Sequence, residues 1–131
     1  MKSILFLLFF LSGSFPKDVP DLSDEIASAI RSGNAAALSK YFAANVDLKI
    51  LDQENIYSKA QAELLIRDFF SKHSLKTFTI AHKSALKNDS QFAIGTLETT
   101  TGKFRINFVM KSAIGSSVIT ITQFRIEPED E

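Results

Sequence analysis

The chain has 131 residues with 15 basic and 15 acidic side chains and a formal net charge of zero, so it has none of the basic surplus that phosphate neutralisation requires, and nucleic acid is excluded as a partner. A hydrophobic fraction of 45% and a charged fraction of 23% fit one folded domain. The absence of cysteine rules out disulfides, thiolate metal sites, thiol nucleophiles and lipid-modified cysteine.

Residues 1–14, MKSILFLLFFLSGS, carry one early lysine, an unbroken apolar run from Ile4 to Leu11, and small polar residues after it. This is the pattern of a cleaved secretory signal. The run is too short for a membrane span, which needs about 20 apolar residues, and no stable span is expected after processing. The mature protein is therefore expected outside the cytoplasm, in the periplasm or beyond. Without disulfides it depends on a hydrophobic core. Residues 15–20, with two prolines, read as a linker, and residues 21–127 as one domain.

A first helix is predicted from Leu22, Ile26, Ala29 and Ile30, with Asp21 or Ser23 at its start and Gly33 ending it. Asn34 caps a second helix, expected to run from Ala35 to about Ala44. Val46, Leu48 and Ile50 alternate with Asp47 and Lys49 as a half-buried strand. Asp52 to Asn55 reads as a turn, followed by a short returning strand at Ile56 and Tyr57. Ser58 with Gln61 matches a capping box, and the strongest helix follows, to about Lys72 or His73.

After His73 the period changes to two. Phe78, Ile80, His82, Ser84 and Leu86 share a strand face, and after a turn at Lys87–Ser90 so do Phe92, Ile94, Thr96 and Glu98. A turn at Thr101-Gly102 leads to a strand in which Phe104, Ile106, Phe108 and Met110 alternate with polar residues. Gly115-Ser116 is a further turn. Val118 to Ile126 is the last strand, whose two faces are equally mixed. Residues 128–131 form an acidic tail. Long strands joined by tight turns pair antiparallel, and with one face apolar they need the helices as cover, which gives an α+β domain of N-terminal helices packed on a curved antiparallel sheet.

This order of elements resembles the nuclear-transport-factor-2-like superfamily, with its cystatin-like and ketosteroid-isomerase-like members. SGNAAALSKYFAANVDLKI (32–50) is similar to the superfamily's opening. IYSKAQAELLIRDFF (56–70), FAIGTLETTTGKFRINF (92–108) and ITQFRIE (121–127) are similar to a small group within it of exported bacterial domains of unknown function. The resemblance implies a cone-shaped sheet closed by the long helix, with dimerisation through the open sheet face, and it transfers no catalytic residue.

Four residues are candidates for a ligand site. Glu98 is the one carboxylate expected to face the cone, or else it emerges at the sheet rim. His82, on an apolar face, is either a general base or a hydrogen-bonded core histidine. Tyr57 either reaches the cone mouth or packs the start of the long helix. Gln123 lies on the last strand, where parity does not settle the direction. His73 reads as a helix-end residue. The two histidines have no metal-ligand spacing, and no phosphate loop or nucleophile elbow is present, so neither metal nor cofactor is expected. The favoured reading is non-catalytic binding of a small hydrophobic ligand or an envelope protein, with Val109, Ile119 and Ile121 as contacts for a homodimer. The alternatives are a small isomerase- or dehydratase-like enzyme around His82 and Glu98, and a purely structural envelope protein. Convergence of His82 and Glu98 on one enclosed cavity favours the enzyme, and a cavity filled by Phe78, Phe104 and Phe108 favours association.

Overall fold

The computed structural model describes residues 21–85, 90–112 and 118–129. The expected signal and linker, the turn residues 87–89, the Gly115-Ser116 turn and the last two tail residues lie outside them.

The elements are α1 (Ser23–Arg31), α2 (Ala35–Ser39), β1 (Phe42–Ile50), β2 (Gln53–Ser58), α3 (Lys59–Lys72), β3 (Leu75–Ala85), β4 (Ser90–Thr99), β5 (Gly102–Ser112) and β6 (Ile119–Pro128). Six strands form one curved sheet in the order β2-β1-β6-β5-β4-β3. Its pairs are antiparallel except β1 with β6, which run parallel. The sheet is therefore mixed, not wholly antiparallel as expected: β6, the last strand of the meander, returns beside β1, which precedes the long helix.

Local chemistry accounts for the helix ends. Asp21 accepts hydrogen bonds from the Ser23 amide (3.0 Å) and hydroxyl (2.6 Å). Gly33 takes φ +67° after α1, the left-handed geometry that glycine supplies at least cost. The Asn34 side chain accepts from the Ala37 amide. Helix α2 is shorter than expected: the apolar residue Phe42, read as part of its stripe, opens β1 instead, paired with Ile121. The second strand of the first hairpin is longer than expected, and the turn contracts to Leu51-Asp52. Ser58 and Gln61 form the predicted capping box of α3.

Helices α1, α2 and α3 cover one face. Beneath them Ile26, Ile30, Leu38, Ile66 and Phe69 meet Phe42, Phe78, Leu97, Phe104, Phe108 and Phe124, all buried. The rings interlock: Phe42 and Phe124 lie 5.8 Å apart, Phe108 stacks on Phe124 at 6.0 Å, and Phe69 meets Phe104 edge-on at 5.1 Å.

Three strands depart from the side-chain directions expected from sequence. In β4 the buried residues are Ala93, Gly95, Leu97 and Thr99, the opposite set to the one expected. The covered side is crowded there: a Cβ on Gly95 would lie 2.6 Å from the Phe78 ring and the Thr79 carbonyl. No side chain fits at position 95 on that side, which matches the outward placement of Phe92 and Ile94. In β3 the register slips between Ile80 and His82, and in β6 between Ile121 and Gln123. Each bulge inserts one residue and reverses the faces beyond it. Ile119 and Ile121 are therefore core, as are Phe124 and Ile126 on the other parity.

Side chains engage part of each sheet edge. Helix α1 packs along β3, and Arg31 Nε donates to the Phe78 carbonyl at 3.0 Å. On β2 the outward amides of Ile56 and Ser58 donate to the side chains of Asn55 (2.7 Å) and Gln61 (3.2 Å). Such local partners blunt an edge against strand addition.

Candidate functional site

Among the described residues one face of the sheet is uncovered, and it carries most of the residues singled out from sequence. Two cross-strand rows define it. One runs Ile56, Asp47, Gln123, Val109, Phe92, Ser84; the next runs Glu54, Lys49, Arg125, Asn107, Ile94, His82. His82 thus stands on the open side, exposed, with its ring 6.0 Å from that of Phe92 and edge-on to it. The bulge at Ala81 puts it there; without the extra residue it would follow Phe78 and Ile80 under the helices. Gln123 reaches the same face through the bulge at Thr122.

Glu98 also faces outward, with Lys103 opposite and 3.9 Å away, so the expectation of an inward carboxylate is corrected by the reversed parity of β4. Opposite His82 sits Ile94, four residues from Glu98, a separation of about 13 Å along the strand. The two side chains therefore share no enclosed cavity. Tyr57 belongs to the other side: it pairs with Val46 and is half-buried beside Gln61, Leu64 and Leu65 on the first turns of α3.

Phe92, Ile94 and Val109 are half-buried by their neighbours and form an apolar patch toward the β3–β5 end. The β1–β6 end is ionic but compensated. Arg125 donates to Glu54 at 2.8 Å and to Asp47 at 3.5 Å, and Lys49 pairs with Glu127 at 3.0 Å. Arg105 lies opposite Glu127. The face is thus a mosaic of apolar side chains and nearly cancelling charges. Of the expected dimer contacts, Val109 is on it, whereas Ile119 and Ile121 are in the core.

A second feature escaped the sequence reading. A groove of about 340 Å³ lies between the tip of the first hairpin and the last turns of α3. Its helical wall, Leu65, Asp68, Phe69, Lys72 and His73, follows helical spacing along one stripe. His73 ends α3, its Nδ1 2.6 Å from the Thr101 hydroxyl and its ring packed on Phe69 at 4.3 Å. Leu51 at the hairpin tip has φ +56° and is the one non-glycine residue with positive φ among those described. A branched side chain there costs roughly 1 kcal/mol relative to glycine. The signal in the sequence was the absence of glycine or asparagine from a two-residue hairpin turn. Among the described residues no cluster of histidine and acidic side chains is arranged to hold a metal ion.

At the start of the domain, Asp21 bridges α1 and β3. Its bonds from the Ser23 hydroxyl and amide, with Lys83 at 3.0 Å, hold its carboxyl at about 2, and the same contact raises Lys83. Burial, reinforced by the hydrogen bond to Glu25, raises the Tyr41 phenol.

A family model described as a domain of unknown function, DUF4783, matches residues 23–127. The chain belongs to this family. A DUF4783 crystal structure from Bacteroides uniformis is 32% identical, with TM-score 0.76, 85% of this chain covered and all of that one. Two more distant structures share the fold alone. One is a domain of unknown function with a cystatin-like fold from Nostoc punctiforme, at 8% identity and TM-score 0.65, covering 84% of this chain and 74% of that one. The other is a putative calcium/calmodulin dependent protein kinase II association domain from Xanthomonas campestris, at 19% identity and TM-score 0.62, covering 84% of each. Comparison with curated proteins finds no match. The DUF4783 domain of this chain thus has an α+β fold of the nuclear-transport-factor-2-like, cystatin-like kind, as the order of elements implied.

Proposed function

We propose that the protein is an exported, non-catalytic association module of the bacterial envelope, and that the uncovered face of its sheet binds a second copy of the chain. The observation that carries this is the contrast between a filled interior and an unfilled face. Phe78, Phe104 and Phe108 are buried in the space under the helices. The face combines apolar residues with charges that nearly cancel, and a two-fold contact brings the same patch against itself. A strongly charged face would repel its copy; this one offers Phe92, Ile94 and Val109 for burial and Arg125 and Glu54 for its rim. On the β2 edge, side-chain partners for the Ile56 and Ser58 amides work against strand addition there. The association domain among the structural neighbours belongs to a fold that supports assembly. The apolar opening segment supports export.

The enzyme reading loses its acid–base pair with His82 and Glu98 apart on an open surface. Sedimentation equilibrium of the purified chain tests the proposal. A dimer is expected that dissociates on dilution and is abolished by Ile94→Glu, with the fold retained by circular dichroism. A monomer at every concentration, or a dimer indifferent to Ile94→Glu, overturns it; capture of a different envelope protein by an otherwise monomeric chain would do so as well.

A further inference from the structure

We propose that the groove between the first hairpin and α3 is a binding site for a small organic amine with a compact apolar body. The groove lies on the helix-bearing side of the sheet and stands independently of association at the open face. Its floor is apolar, from Ile50, Leu51, Leu65 and Phe69. Its volume, about 340 Å³, is at the lower end of small-molecule sites, enough for a ring and a short chain.

Charge selects the ligand class. Three of the groove's polar side chains are already engaged: Lys72 pairs with Asp68 at 3.1 Å, and His73 Nδ1 is held by Thr101. Asp52 at the hairpin tip has no ion pair or side-chain hydrogen bond among the described residues. The uncompensated charge beside the apolar floor is therefore a carboxylate, and its complement is an ammonium group. The walls are preorganised. Stacking on Phe69 and the bond to Thr101 fix the His73 ring. The amide of Leu51 donates to the Ile126 carbonyl at 2.8 Å, which anchors the hairpin tip to β6. The left-handed backbone at Leu51 keeps a branched side chain in the wall where glycine would relieve the strain, the kind of local cost that recurs at ligand clamps.

The test is a titration of the ¹⁵N-labelled chain with 2-phenylethylamine, compared with 2-phenylethanol and phenylacetate as neutral and anionic counterparts. The amine is expected to shift the amide signals of Leu51, Asp52, Gln53 and His73 saturably. It should bind about threefold more tightly than the alcohol, as an exposed ion pair allows, and the acid should bind more weakly than either. Asp52→Asn, a change at an exposed turn position, should remove the preference for the amine while leaving the binding of the alcohol unchanged. Leu51→Gly should weaken all three ligands without lowering thermal stability. The proposal is overturned by shifts that do not saturate by about 20 mM, a generous limit for a ligand this small. Shifts scattered away from the groove, a preference for phenylacetate, or an amine preference that survives Asp52→Asn would overturn it equally.

Discussion

The two faces of the sheet are built from the same strands and the same residues in alternation, yet they differ in what they contact. Along β5, Phe104, Ile106, Phe108 and Met110 lie under the helices, while Arg105, Asn107 and Val109 between them stand in the open. The covered side is packed ring against ring, and the open side spreads apolar and ionic groups at the surface. At Gly95, crowding on the covered side bears on which residues stand on the other. Gly95 is glycine because Phe78 lies against it, and that crowding displaces Phe92 and Ile94 to the open face. An exposed aromatic on this sheet is a consequence of core packing before it is a site.

The largest expected contrast is between adjacent residues on opposite faces. Phe108→Ala should destabilise the chain by about 3–5 kcal/mol, the range for a buried ring. Val109→Ala, one residue away, should cost under about 1 kcal/mol in the monomer while weakening the dimer. Equal losses in a denaturation series would erase the distinction between the faces.

Gly95→Ala sharpens the same point from the backbone. The added methyl meets a ring and a carbonyl at 2.6 Å, so a loss of about 1–3 kcal/mol is expected from overpacking. A stability equal to the parent in urea titration would show that Phe78 moves freely and that crowding does not determine the parity of β4.

The smallest effect lies at the rim, where Asp21 joins α1 to β3. The folded-state carboxyl titrates at about 2, below its unfolded value near 3.9, so its contribution is present above pH 4 and fades as pH falls toward 2. Asp21→Asn should flatten the stability profile across that interval: its cost, kept small by solvent exposure, is full at pH 7 and vanishes as the pH falls toward 2. An unchanged slope between pH 4 and 2 would contradict the assignment of this carboxyl to the Ser23 and Lys83 contacts.

The order of elements was legible because long alternating runs and a capping box are local signals. Ser58 with Gln61, Asn34 and Gly33 each do in the fold what their chemistry suggests. The directions of side chains on β3, β4 and β6 were not legible, for three physical reasons. A bulge at Ala81 reverses the parity of His82 and one at Thr122 that of Gln123, and neither carries a glycine to announce it. On β4 both faces carry apolar residues, so only tertiary contacts such as the close approach of Phe78 and Thr79 to Gly95 decide between them. The parallel pairing of β1 with β6 joins residues 42–50 to 121–126, far beyond the reach of local pattern. The same bulges that hid the open face from the sequence are the ones that place His82 and Gln123 on it.

The absence of cysteine makes a direct test of the association surface available, because any introduced thiol is the only one. Val109→Cys lies in the middle of the open face and Leu64→Cys on the exposed side of α3. Under mild oxidation at dimer-forming concentration, Val109→Cys should be trapped as a covalent dimer while Leu64→Cys remains monomeric. Trapping at Leu64 with none at Val109, or equal slow trapping at both, would contradict association through the uncovered face of the sheet.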